Sequence, residues 1–105
     1  MSGVTKTGRQ PAGGQQRAER EYLRRKVFQP ASLRLGLRRE RAHVLDISLG
    51  GARLHCPGPC APGDMVELRV CSLTTCARVM WRRGDRMGVR FSRVLAEREI
   101  DSLFD

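Results

Sequence analysis

Residues 65–91 read MVELRVCSLTTCARVMWRRGDRMGVRF, and the apolar positions in this stretch recur every second residue. Val66, Leu68 and Val70 alternate with Glu67 and Arg69, Val79 and Trp81 flank Met80, and Met87, Val89 and Phe91 enclose Gly88 and Arg90. A period of two sends one side of an extended chain into a core and the other into water. The pattern therefore predicts strands over Met65–Cys71, Thr75–Arg83 and Arg86–Phe91, the last two joined at Gly84-Asp85.

The same reading extends towards the N-terminus, with candidate strands over Val27–Gly36, Arg41–Ile47 and Ala52–Cys56. Ser48-Leu49-Gly50-Gly51, Pro57-Gly58-Pro59 and Pro62-Gly63-Asp64 are the turns between them. Six short strands at near-regular spacing favour an antiparallel barrel or sandwich, an all-β fold. The inward set is Leu45, Ile47, Ala52, Leu54, Val66, Leu68, Val70, Val79, Trp81, Met87, Val89 and Phe91, which turns Val44, Asp46 and Ser48 outward. Downstream, Ser92–Asp105 (SRVLAEREIDSLFD) reads as a helix with Ser92 as N-cap and an apolar stripe for the barrel.

Residues 1–18 (MSGVTKTGRQPAGGQQRA) have almost no bulky apolar side chain and read as a disordered arm, leaving 19–105 as the folded domain. Seven cations (Lys6, Arg9, Arg17, Arg20, Arg24, Arg25, Lys26) against Glu19 and Glu21 put more than half of the formal charge of +9 into residues 1–26. A chain of 105 residues holds one domain with a small core. Three Phe, one Tyr and one Trp leave that core to aliphatic side chains. The excess of Arg over Lys suits a polyanionic partner, because the guanidinium fork pairs with phosphate and stacks on bases.

Neither a membrane-spanning apolar run nor a signal-peptide core is present, so the expected location is cytoplasmic, without membrane insertion. There Cys56, Cys60, Cys71 and Cys76 are expected reduced, most of them small buried hydrophobes. Their spacing lacks the two-residue zinc knuckle, so no metal is expected. His43 and His55 have no nucleophile in a catalytic arrangement beside them, and the chain is not read as an enzyme.

Two motifs carry ligand chemistry. Arg20-Glu21-Tyr22-Leu23-Arg24 is an R-x-x-x-R pair. A helix would put both guanidiniums on one face, and an extended segment would send them to different parts of a ligand. Asp46-Ile47-Ser48-Leu49-Gly50-Gly51 is a D-x-S-x-x-G ending a strand. Its carboxylate can accept both hydrogen bonds from the N1 and N2 edge of guanine, and its hydroxyl suits a phosphate oxygen. Gly51 is expected to supply a positive φ and close approach. The same six residues also fit an ordinary Asx or Ser turn leading into a hairpin.

Taken together, Arg20, Arg24 and Pro30 followed by Asp46, Ser48 and Gly51 resemble the cyclic di-GMP motifs of the PilZ family. The resemblance spans residues 17–104: Pro62-Gly63-Asp64 before Val66-Glu67-Leu68 looks like the family's hairpin entry, and Ala77–Trp81 with Gly88–Phe91 like its closing strands. It implies a six-stranded antiparallel barrel with a C-terminal α-helix, with cyclic di-GMP as ligand and no cofactor. By the same resemblance Arg20 and Arg24 clamp guanines and phosphates, Asp46 reads a guanine, Ser48 reaches phosphate or base, and Gly51 shapes the turn. Arg25 is an additional candidate contact.

The function that follows is a receptor and adaptor whose N-terminal arm changes conformation on binding and signals to an effector protein in trans. Two alternatives are a PilZ-like interaction module that binds no nucleotide and a basic barrel that holds nucleic acid nonspecifically. The second is disfavoured by the expected lack of an outward aromatic platform, so no specific nucleic acid is expected.

Overall fold

A computed structural model describes residues 24–104, in which six strands close into one antiparallel barrel. They are β1 (Arg25–Leu35), β2 (Arg38–Ile47), β3 (Gly51–His55), β4 (Met65–Val70), β5 (Leu73–Arg83) and β6 (Arg86–Phe91). Around the wall the order is β1-β2-β3-β6-β5-β4, and β1 closes the ring on β4 through Ser32, Leu33 and Arg34. The barrel and C-terminal helix expected from the sequence are both present. The arm over residues 1–18 and Arg20 lie outside the described residues.

β1 and β2 are longer than the periodicity suggests, meeting at Gly36-Leu37, where Gly36 takes φ +63°. Arg38, Arg39 and Arg41 hide the start of β2 from a hydrophobicity reading. Each lies on an exposed strand position, where apolar residues are not required.

The interior is aliphatic, with Leu33, Val44, Ile47, Leu54, Leu68, Val70, Val79 and Met87 removed from water. Leu95, Ile100 and Leu103 of the tail join this core. Three of the expected orientations, those of Val44, Leu45 and Trp81, are overturned by two one-residue bulges. On β2 the register with β3 passes from Val44↔Leu54 to Asp46↔Arg53, so Leu45 is the extra residue. Val44 accordingly points inward and Leu45 is only half-buried. On β5 the register with β6 passes from Val79↔Val89 to Trp81↔Gly88, so Met80 is the extra residue. Trp81, expected in the core, is 40% exposed. A bulge inverts the alternation beyond it, and periodicity has no means of locating one.

The tail is less helical than expected. Leu95 donates its backbone N–H to Leu49 O at 2.8 Å, tying the chain to the β2–β3 turn before a helix can start. Helix α1 (Glu97–Asp101) therefore begins after Ala96, not at Ser92, and runs into a 3-10 turn over Ser102–Phe104. Val94 and Phe104 stay exposed. Glu99 accepts from the Ala96 N–H at 2.8 Å and binds both terminal nitrogens of Arg93.

The Arg93 hydrogen bonds, followed by the Ala96 N–H, hold the Glu99 carboxyl at about 2, down from 4.5. A depressed carboxyl stabilises the fold above its unfolded value, and that contribution is lost as pH falls through the folded one. The start of α1 should therefore loosen between pH 4.5 and about 2. NMR amide-exchange protection at Ala96 reports this, and a Glu99→Gln variant with the wild-type acid profile would refute the assignment.

Candidate functional site

The two bulges lie at opposite ends of one cross-strand row. Register places Asp46 of β2 against Arg53 of β3, Arg53 against Gly88 of β6, and Gly88 against Trp81 of β5. Four residues thus line up across about 14 Å of the outer wall at the usual strand spacing. Gly88 explains how the indole lies there. A Cβ on this residue would fall 2.1 Å from Trp81 Nε1 and 2.6 Å from Cε2, so the ring rests directly on the glycine backbone.

Beside this row is a groove of about 560 Å³, within the range of small-ligand sites. Ser48, Gly50 and Gly51 form one end, Met80 and Trp81 the other, and Arg24, Arg90 and Val94 contribute to its sides. Arg90 sits directly opposite Arg78 on β5 and Gly51 on β3. Among the described residues neither Arg78 nor Arg90 has a carboxylate within ion-pair distance. Like charges facing each other across a ladder destabilise the sheet, and an anion in the groove would relieve that strain.

Arg24, Asp46, Ser48 and Gly51 come together at this end of the barrel, in four different chemical situations. Asp46 stays on the outer side with Arg53 but is only 3% exposed, because two guanidiniums cover it. Arg24 Nη1 donates to Oδ1 at 2.9 Å, and Arg53 donates to Oδ2 at 2.6 Å. Asp46 is consequently absent from the groove lining, whereas Arg24 belongs to both. Ser48 is buried as well, its hydroxyl 3.3 Å and its N–H 2.8 Å from Gly51 O.

Gly51 does not have the positive φ expected of it, which occurs instead at Gly36, Gly63 and Gly84. Its requirement is spatial: a Cβ would lie 2.4 Å from Val89 O on the adjacent strand. Arg25, the additional candidate, points elsewhere. It pairs with Asp101 and lies over the Phe104 ring at 4.2 Å, joining β1 to the tail.

Sequence reasoning missed Arg53, Trp81 and Arg90 as surface groups of this site. A signal existed for two of them. Arg53 lies just beyond a Gly-Gly turn, where a hairpin returns it opposite Asp46, and an interior strand glycine such as Gly88 marks close approach by another group. The outward Trp81 also removes the argument that the barrel lacks an aromatic platform.

The cysteines offer little chemistry: Cys56 and Cys60 are buried, Cys71 and Cys76 exposed, and none is paired. Burial, followed by the neighbouring Cys56, pushes the Cys60 thiol up, away from thiolate reactivity. Among the described residues no helix is long and apolar enough to cross a membrane, and no three His, Cys, Asp or Glu side chains gather as a metal site.

The PilZ domain family model matches residues 16–105, nearly the whole chain. The chain belongs to the PilZ family. A search of curated proteins finds no match. PilZ domains are binding and adaptor modules, not enzymes, and as a family they are receptors of cyclic di-GMP, although some members lack the ligand.

Proposed function

We propose that this PilZ domain is a cyclic di-GMP receptor that holds its ligand in the groove between the Ser48–Gly51 turn and Trp81. The supporting observation is that Arg24, which covers the Asp46 carboxylate, and Arg90, without a carboxylate partner among the described residues, border a groove whose far end carries an exposed indole. Cyclic di-GMP presents what these groups recognise: two anionic phosphodiesters, planar bases and the guanine N1 and N2 donors. Asp46 accepts from one guanine edge once Arg24 releases Oδ1. Arg24 and Arg20 then engage phosphates and base faces, Arg90 neutralises phosphate, and Trp81 offers a stacking surface. Ser48, whose hydroxyl hydrogen goes to Gly51 O, offers its oxygen lone pairs to a ligand N–H or turns the hydrogen to a phosphate, and Gly51 keeps the approach open.

The adaptor role is supported by the position of Arg24 immediately before β1. When it leaves Asp46 for the ligand, the segment carrying Arg20 is drawn over the groove, and an effector in trans reads the altered surface.

Isothermal titration tests the reading. Cyclic di-GMP is expected to bind at low micromolar protein, to change the fluorescence of the single Trp, and to outbind cyclic di-AMP by about 10-fold or more. Absence of heat and of a fluorescence change would overturn it and leave the barrel as an interaction module without nucleotide. Affinity that ignored the base and fell steeply with salt would instead indicate nonspecific nucleic-acid binding.

A further inference from the structure

The two arginines on Asp46 are not equivalent. Arg24 precedes β1, lines the groove and uses one nitrogen on Oδ1. Arg53 sits in the middle of β3, directly opposite Asp46 in register, and brings both Nε and Nη2 to within 2.6 Å of Oδ2. A ligand entering the groove meets Arg24 first, while Arg53 is fixed from the neighbouring strand and does not line the groove. The bulge at Leu45 makes such a holder necessary: it breaks the regular ladder beside Asp46, so strand geometry alone does not set the direction of the carboxylate.

We propose that Arg53 is the positioning residue for the base-reading carboxylate, holding Oδ2 throughout while Arg24 exchanges Oδ1 for the ligand. This rests on the cyclic di-GMP reading above. It follows from the charge balance at Asp46. A carboxylate with almost no exposure needs a counter-charge in both states. With Arg53 in place, Arg24 can leave without stranding the anion, and the free lone pairs stay aimed at the groove. Without Arg53, Arg24 is the only counter-charge among the described residues, and once it turns to the ligand no fixed partner aims the carboxylate at the base.

The consequence concerns base discrimination. Adenine lacks the donor pair that a fixed carboxylate accepts, so its affinity does not depend on how Asp46 is aimed. Arg53→Gln should weaken cyclic di-GMP by about 10-fold or more, the effect of one charge-assisted hydrogen bond, and change cyclic di-AMP by less than about 3-fold. Arg53→Lys keeps the charge but loses the fork, and should recover part of the affinity for cyclic di-GMP while remaining below wild type.

The experiment is a titration of wild type, Arg53→Gln and Arg53→Lys with both dinucleotides, with the melting temperature of each protein recorded. A collapse of the guanine-to-adenine ratio in Arg53→Gln, partly restored in Arg53→Lys, supports the inference. Equal losses for both ligands would mark Arg53 as merely structural, and an unchanged or improved ratio would show that it does not aim Asp46. Either overturns this inference and leaves the receptor reading intact. Failure of wild type to bind cyclic di-GMP would overturn both.

Discussion

Gly51→Ala is expected to destabilise the barrel by about 3 kcal/mol, the sum of overpacking and a weakened ladder hydrogen bond. The added Cβ would meet Val89 O at 2.4 Å and Val89 C at 3.4 Å, both backbone atoms of β6 that cannot rotate away. β3 and β6 must separate where Gly51 faces Arg90, and the Phe91 N–H to Gly50 O bond of 2.8 Å lies within that separation. For a domain of this size the effect corresponds to a fall in Tm of roughly 12–24 °C. Gly36→Ala is the internal comparison. Nothing lies within 4 Å of its Cβ, and only the φ of +63° opposes it, so a loss of about 1 kcal/mol is expected. Thermal melts decide the matter: equal small shifts for both variants would show that β3 and β6 separate freely.

Asp46→Ala is expected to abolish measurable cyclic di-GMP binding while leaving the fold in place. The carboxylate accepts from Arg24 and Arg53 in the unliganded chain and, on the proposed reading, accepts the guanine edge in the complex. Removing two charge-assisted acceptor positions costs about 3 kcal/mol of binding, roughly a 100-fold loss. Stability should change little. The arginines released are about half exposed (side chains 52% for Arg24 and 46% for Arg53) and can return to water. Titration calorimetry beside a circular dichroism melt separates the two effects. Undiminished affinity would exclude Asp46 as the base-reading group, and a collapsed melt would mean that the triad is a structural keystone.

The limits of sequence reading here have definite physical origins. Val66, Leu68, Val70, Val79, Met87, Val89 and Phe91 are buried as their alternation dictates, because wherever the ladder is regular the pleat alone decides which side a residue occupies. The reading fails at Leu45 and Met80, where one inserted residue reverses the alternation without altering composition. It fails again at Gly51, where the residue is essential for a reason stored in another strand, the Val89 carbonyl. The tail is overread as helix because the Leu95 to Leu49 hydrogen bond is a long-range contact that no local pattern encodes. Of the candidate site, Asp46, Ser48 and Gly51 stand out as a turn motif, and the Gly-Gly hairpin and Gly88 leave local traces of Arg53 and Trp81, whereas Arg90 gains its meaning only from facing Arg78 and Gly51 on the neighbouring strands.

Closure of the wall limits how a partner can approach. With β1 bonded to β2 on one side and, over Ser32–Arg34, to β4 on the other, every strand among the described residues has two neighbours, and the longest stretch of β1 paired on one side only runs from Arg25 to Ala31. An effector contributing a strand of its own therefore finds no whole strand edge to extend, and copies of the barrel have no full-length edges to join. Over most of the wall recognition has to pass through side chains and turns. Specificity for an effector is then written in surface residues that can change freely while the hydrogen-bonded ring beneath them stays the same.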